Sequence, residues 1–299
     1  MTGQARIIVV GDIITDVLAV LAAPLAPGSD TPAAVRVGGG GQAANTAAWL
    51  AWQGCPVTLV GAVGDDDAGR DRLAELTGHG VRCAVRRSPG RATGTVIVLV
   101  RDGERTMITE RGANLGISPD DVTTALAGSP DAGHLHLSGY PLLDPESRAA
   151  GLHALAAARE RGLTTSVDAA SAEPLRRVGT AAFLTWVRGV DLLLANAEEA
   201  VVLTEVADPR SAARELTGVA RHAVVKRGPD GAVWAGPGGQ TVEAPARQVP
   251  VLDVTGAGDA FAAALLAAWV SGADPAEALD RSGAVGAVAV GTVGARPPC

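Results

Sequence analysis

Seven short runs rich in β-branched residues recur along the chain: Ile7–Val10, Val57–Val60, Val96–Val100, His134–Leu137, Thr164–Val167, Asp191–Leu194 and Ala223–Lys226. Between most of them lie Ala/Leu-rich stretches of helical length, at Ala43–Gln53, Ala68–Leu76, Pro145–Arg161, Ala197–Thr204 and Ser211–Leu216. Two more, Ala257–Ser271 and Pro275–Val290, close the chain. Strands that alternate with helices build a mostly parallel sheet covered on both faces, so each strand reads as a solid apolar run. The 299 residues are 47% apolar, with a mean hydropathy of +0.22, enough to fill such a core. With no internal repeat and no Pro- or Ser-rich linker, one α/β domain spanning 1–299 is expected.

Two segments break the alternation. Thr95–Val100, Arg101–Asp102–Gly103–Glu104 and Arg105–Thr109 read as two strands around a turn. Leu18–Val37 carries Pro24, Pro27, Gly28 and Pro32 without helical period, and is expected to be an irregular functional segment, a lid or binding loop.

Acids exceed bases 32 to 25, which gives no broad basic field for nucleic acid or anionic lipid. Ala260–Val270, the most lipid-like stretch, is too short to span a bilayer. Cys55, Cys83 and Cys299 stand apart without a C-x-x-C pair, and the first residues lack a signal-peptide pattern, so a reduced, cytoplasmic protein is expected. Lys226 is the single lysine, so any chemistry that needs a lysine must use it.

The segment Asp253–Val254–Thr255–Gly256–Ala257–Gly258–Asp259 feeds an apolar helical stretch. Such a turn leaves backbone N–H groups without intrahelical partners, and with the helix dipole they favour an anion. Asp259 stands in the first turn, close enough to accept a proton from a hydroxyl attacking a phosphoryl group held there. The alternative is that Asp253 or Thr255 caps the helix and Asp259 only complements its dipole.

Four glycines, Gly38 to Gly41, precede Gln42–Ala43–Ala44–Asn45–Thr46. Tetraglycine is costly in chain entropy, and its use is close approach of backbone to another group. Asn45 offers a donor and an acceptor to a hydroxyl-rich ligand, or else caps the helix. Asp12 and Asp16 fall beyond the carboxyl end of Ile7–Val10, where ligands bind in open α/β sheets. Asp16 there is either a sugar contact or a solvated loop acid.

These two constellations together resemble the signatures of the PfkB/ribokinase family of sugar and nucleoside kinases: Gly40–Gly41–Gln42–Ala43–Ala44–Asn45, and Asp253–Asp259, with Val254 where threonine is frequent. Smaller matches stand between and after them in the family's order, among them Gly61–Asp66, Gly112–Ala113–Asn114, His136–Gly139, Asn196–Glu199, Lys226–Ala232 and Gly294–Ala295. The resemblance implies a ribokinase-like three-layer α/β/α core with a small β-sheet lid from about 18–37 and 95–109. It implies ATP-dependent phosphorylation of a primary hydroxyl of a sugar, or of a ribonucleoside. On it, Asp259 is the general base; Gly256, Ala257 and Gly258 form the anion hole; and Asp16, Gly40, Gly41, Asn45 and Asp12 hold the acceptor. Asn196, Glu199, Lys226, Gly228, Gly231 and Thr255 meet the nucleotide, with Glu199 on Mg²⁺ through water. Asp253 and residues around Ala289 and Gly294 line a monovalent-cation (K⁺) site, and two copies pair through the lid. The family's D-P-N-x-R segment stands here as Asp168–Ala169–Ala170–Ser171, and its late serine is replaced by Pro297–Pro298.

Rival readings fit less of the chain. A dinucleotide fingerprint needs a solid strand before its glycines, and Val35–Val37 is a stub. A P-loop needs G-K-[ST], and Arg227 follows the only lysine. A pyridoxal-phosphate enzyme would use Lys226. A binding protein without turnover is the non-enzymatic alternative. His134 and His136 lack a third metal ligand nearby, Trp49 and Trp52 are expected to pack, and Arg86–Arg87 is expected to be a solvated loop pair.

Overall fold

The computed structural model of the chain describes residues 5–101 and 104–298. Among the described residues thirteen strands are formed: β1 (Arg6–Val10), β2 (Ile14–Leu21), β3 (Ala33–Gly40), β4 (Val57–Gly64), β5 (Arg82–Ser88), β6 (Gly94–Arg101), β7 (Glu104–Glu110), β8 (Ala132–Ser138), β9 (Thr164–Asp168), β10 (Leu192–Asn196), β11 (His222–Lys226), β12 (Ala232–Ala235) and β13 (Thr241–Ala244). A nine-stranded sheet runs β13-β12-β11-β10-β9-β8-β1-β4-β5, and a four-stranded sheet runs β3-β2-β6-β7. From β11 to β5 every pairing in the large sheet is parallel; β12 and β13 add an antiparallel edge.

Alternation along the strands divides the core. Ile8, Val10, Leu193, Ala195 and Val225 face one helical layer, whereas Ile7, Val9, Leu192, Leu194 and Val224 face the other. The first layer holds the helices Arg148–Glu160, Ala197–Thr204 and Pro209–Leu216; the second holds Gln42–Trp52, Ala257–Val270 and Pro275–Val290. This is the three-layer α/β/α core anticipated above. No helix among the described residues is long and apolar enough to cross a membrane.

The chain leaves β1 toward β4 and β5, then returns to β8 on the opposite side of β1. Such a reversal opens a crevice at the carboxyl ends of the strands. Asp12, Ser138, Asp168, Asn196 and Lys226 stand at or just after the carboxyl ends of β1, β8, β9, β10 and β11.

Two expectations are corrected. Leu18–Val37 is not irregular: β2 and β3 pair antiparallel over eight residues each, from Ile14↔Gly40 to Leu21↔Ala33. Its prolines, which cannot donate to a ladder, are confined to the connection 22–32. Arg86 and Arg87 lie in β5 rather than in a loop; both are exposed, and Arg86 Nε bonds Asp121 at 2.8 Å. The short edge strands β12 and β13 and the helix Pro119–Ala127 were not anticipated. Residues 102 and 103 of the expected turn, and Cys299, lie outside the described residues; the flanking strands β6 and β7 pair antiparallel.

Trp49 is fully buried, meets Trp52 edge to face, and donates from Nε1 to the Ala295 carbonyl at 3.0 Å. His134 and His136 are core residues that share the Ser166 hydroxyl at 2.7 and 2.8 Å. Burial pushes them down to about 3 and about 4, so both are neutral.

Candidate active site

The helix Ala257–Val270 begins at Gly256 with φ of +74° and no side-chain cap. A side chain on Gly256 would start 2.6 Å from the Ala295 carbonyl oxygen, so the turn needs glycine on both counts. Capping by Asp253 or Thr255 is therefore not what is built. Asp253 instead accepts from Thr255 N and Oγ1 at 2.9 and 2.6 Å and from Gly294 N at 3.0 Å, joining the turn to the end of the chain. The Ala257 amide donates to Val254 O at 3.3 Å, while among the described residues nothing accepts from the amides of Gly256, Gly258 and Asp259. Of the expected donors, the amides of Gly256 and Gly258 are thus open, and that of Asp259 takes the place of Ala257.

Asp259 projects from this first turn into a cleft of about 680 Å³. Gln42, Asp168, Asn196, Glu199, Lys226, Gly228, Gly231 and Gly258 also line it, and a wall of Val249, Val251, Leu279, Gly286 and Val290 extends it with apolar and small residues. Lys226 Nζ bonds Asp168 Oδ2 at 2.6 Å and lies 3.7 Å from where a side chain on Gly258 would begin. Gln42 Nε2 donates to the other Asp168 oxygen at 3.0 Å. Ser138 Oγ lies 2.6 Å from Gln42 Oε1 and 3.1 Å from Asp12 Oδ1, so it bridges the cleft network to β1. Asn196 and Glu199 form a capping box: Glu199 N donates to Asn196 Oδ1, and Glu199 takes Asn196 N and Nδ2 at 2.8 and 2.6 Å.

On the acceptor side, Asn45 is buried inside its helix rather than at the cap. Its Nδ2 donates to Asp259 Oδ2 at 2.8 Å. Asp12 holds the same helix by accepting from Gln42 N at 3.2 Å. The Arg111 guanidinium stacks 4.3 Å over the Tyr140 ring and lies 3.8 Å from the Asp12 carboxylate. Asp16 lies flat on the glycine ribbon: a side chain on Gly40 would start 2.2 Å from its carboxylate. Asp16 is thus not a solvated loop acid. Asp12, Gly40, Gly41 and Asn45 gather around the start of the Gln42–Trp52 helix, with Asn45 reaching Asp259, while Asp259, Asn196, Glu199, Lys226 and Gly228 line the cleft. Thr255 faces Asp253. Sequence reasoning missed Gln42, Ser138 and Arg296 as site residues; Arg296 Nε donates to Asn45 Oδ1 at 2.9 Å.

Burial pushes Asp259 up to about 7, against the Asn45 hydrogen bond and Lys226. Burial likewise raises Glu199 to about 7, reinforced by Asp168, and Asp16 to about 6, against Arg296. For Lys226, burial opposes the charge, but Asp168, Glu199 and Asp259 overcome it, so its pKa is raised and it stays an ammonium. Phosphoryl chemistry suits such a place: unpaired amides and the Lys226 ammonium face the cleft, and an acid beside them has a pKa near neutrality.

The model of the pfkB family carbohydrate kinases matches residues 4–299. An ATP-dependent ribose-1-phosphate kinase from Halopiger xanaduensis is 34% identical over 98% of this chain and 94% of its own length. A 2-dehydro-3-deoxygluconokinase from Thermoproteus tenax is 33% identical over 85% of this chain and 80% of its own. Among solved structures, the adenosine kinase from Sinorhizobium meliloti superposes with a TM-score of 0.87 at 25% identity, covering 99% of this chain and 97% of that one.

The buried acids set a pH dependence of stability. An acid whose pKa is higher folded than unfolded binds its proton more tightly in the native state, so its stabilisation is present at low pH and is lost as pH rises. For Asp259 the window runs from about pH 4 to about pH 7. Asp259→Asn is therefore expected to melt above the parent protein at pH 8 and close to it at pH 4.5. Thermal melts at the two pH values check this; equal melting temperatures at pH 8 would mean the carboxylate is not destabilised.

Proposed function

The chain belongs to the pfkB family of carbohydrate kinases, and from that premise we propose that it transfers the γ-phosphoryl group of ATP to a primary hydroxyl of a sugar, with Asp259 as the base. The observation that carries the reading is the position of Asp259. It stands beside the unpaired amides of its own helix start and is held from the acceptor side by Asn45 at 2.8 Å. The migrating phosphoryl group needs positioning, charge stabilisation and a proton acceptor for the incoming alcohol. The amides of Gly256, Gly258 and Asp259 supply the first two with the helix dipole. Asp259 supplies the third, with a pKa of about 7 that lets it take a proton near neutral pH.

Lys226, pinned by Asp168, places a fixed positive charge beside Gly258 for the polyphosphate. Gly228 opens the cleft beside it, and the Val249–Val290 side forms the wall for an adenine ring. Asp168, Glu199 and Asp259 give the cleft three carboxylates against one ammonium, although no group of three metal-ligating side chains is arranged for direct coordination among the described residues. That donor set fits Mg²⁺ held by phosphates and waters, with Glu199 as the outer contact. The ion would neutralise the phosphates when bound. Asp16 accepts hydroxyls of the acceptor, whereas Asp12, buried and already accepting from Gln42 N and Ser138 Oγ, anchors the helix that carries Asn45; the small sheet shields the reaction from water, which competes as acceptor. A ribonucleoside acceptor is the second reading, favoured by the superposition on an adenosine kinase.

Asp259→Asn is expected to lower kcat by about 10²–10⁴-fold while ATP still binds. Asp16→Ala is expected to raise KM for the acceptor far more than KM for ATP. Steady-state kinetics over a panel of sugars, sugar acids, sugar phosphates and nucleosides check both. Near-parental turnover in Asp259→Asn would remove the base assignment, and an effect of Asp16→Ala confined to ATP would remove its role.

The small sheet exposes Val35, Val37, Met107 and Ile108, each more than half accessible. Two copies paired through this face would cover them. Light scattering at micromolar concentration is expected to give a dimer, and Val37→Glu with Met107→Glu a monomer; a monomeric parent protein would end the idea.

A further inference from the structure

We propose that Arg296 is a positioning residue for phosphoryl transfer, acting through Asn45 to fix the orientation and charge state of the Asp259 carboxylate. The inference rests on the assignment of Asp259 as base.

Arg296 follows the Gly294–Ala295 segment, whose backbone is anchored by Trp49 Nε1 on Ala295 O and by Asp253 on Gly294 N. Its side chain is buried, 8% exposed for the whole residue. Nε donates to Asn45 Oδ1 at 2.9 Å, Nη2 donates to Gly40 O at 3.2 Å, and Nη1 lies 4.0 Å from Glu75 Oε1 without a hydrogen bond. A guanidinium has only donors. The side of Asn45 that meets it must therefore be the carbonyl oxygen, and the amide nitrogen must turn the other way. There it meets Asp259 Oδ2 at 2.8 Å. The amide orientation, which an isolated asparagine could reverse, is set by Arg296.

The two orientations have opposite consequences for the base. An N–H donated to a carboxylate favours its ionised form. A reversed Asn45 would present a lone pair that only a protonated Asp259 could meet. Asp259 also feels Lys226 from β11, Asp168 from β9 and Asp12 beyond β1, and it bears on Tyr140 and on Arg296 itself. Of these, Asn45 and Lys226 oppose its burial most strongly, the Arg296 cation acts in the same direction, and Lys226 already bonds Asp168. Asn45 is thus the group most directly able to hold Asp259 as an ionised acceptor. The Nη2 contact with Gly40 ties the same guanidinium to the glycine ribbon on which Asp16 rests, so one side chain registers both ends of the acceptor site.

The experiment compares kcat against pH, at saturating ATP and acceptor, for the parent protein, Arg296→Leu and Arg296→Lys, with thermal melts to confirm folding. Arg296→Leu is expected to move the acidic limb of kcat upward by about one pH unit, costing about tenfold at pH 6 and little at pH 9, with KM for ATP unchanged. Arg296→Lys keeps a donor-only cation and is expected to bring the limb back toward the parent position. A folded Arg296→Leu with the parent limb, or with a uniform loss at every pH, overturns the proposal. Should Arg296→Leu show no cooperative melt, Asn45→Leu decides: it removes the bridging amide, and an unmoved limb overturns the proposal. Asp259→Asn separates the two claims. If that variant keeps the acidic limb, the base assignment is what fails; if it loses the limb and Arg296→Leu leaves it unmoved, the role of Arg296 fails alone.

Discussion

Burial of the parallel strands on both faces drives their charged groups to the strand ends, and the polar groups left inside must pair, as His134 and His136 do with Ser166. Between their end residues β1, β10 and β11 are apolar, and a hydrophilic residue comes where each strand meets the crevice. Asp12, Asp168, Asn196 and Lys226 stand at those positions, and the reversal of strand order beside β1 leaves the crevice open above them. The helix bearing Asp259 starts over this row because its apolar face packs against Leu192, Leu194 and Val224 below. The site is thus a consequence of the core's layering, with chemistry placed wherever a strand or helix terminates.

Electrostatics then divides the cleft. Asp168, Glu199 and Asp259 outnumber Lys226, and burial raises the pKa of the latter two acids to about 7. An assembly with surplus buried carboxylate is less stable than it would be with neutral isosteres. Under the proposed function the surplus is an active-site compromise, in which Glu199 would shape the polyphosphate end with Asn196 and Asp259 would keep a proton affinity matched to an alcohol losing its proton. The pairs Lys226–Asp168 and Asn45–Asp259 are where the two halves are held in register before a ligand arrives.

The layered core was legible in the sequence because it depends on local signals. Solid apolar runs such as Ile7–Val10 and Leu192–Leu194 are strands whatever surrounds them, and the helix Ala197–Thr204 begins and ends where its Asn196–Glu199 capping box and composition place it. The small sheet was harder: the prolines between β2 and β3 gave the whole segment 18–37 a loop's composition, although the ladder itself contains none. Edge strands β12 and β13 are only four residues long and carry too little periodicity to read. Within the site, the residues next to glycine-rich turns stood out, because the turns mark them. Gln42, although it directly follows the tetraglycine, did not, and nor did Ser138 and Arg296, because their roles come from contacts 96 to 256 residues away in sequence, such as Ser138 with Gln42 and Arg296 with Gly40.

What unites these observations is a single geometric claim: the phosphate being transferred rests on the amides that open the Ala257–Val270 helix, within reach of Asp259. A crystal structure with a non-hydrolysable ATP analogue and Mg²⁺ measures it directly. The account predicts terminal-phosphate oxygens about 3 Å from the amide nitrogens of Gly258 and Asp259, with the Asp259 carboxylate facing the open side of that phosphate. A terminal phosphate bound away from this helix start, or an Asp259 walled off from it, would contradict the account.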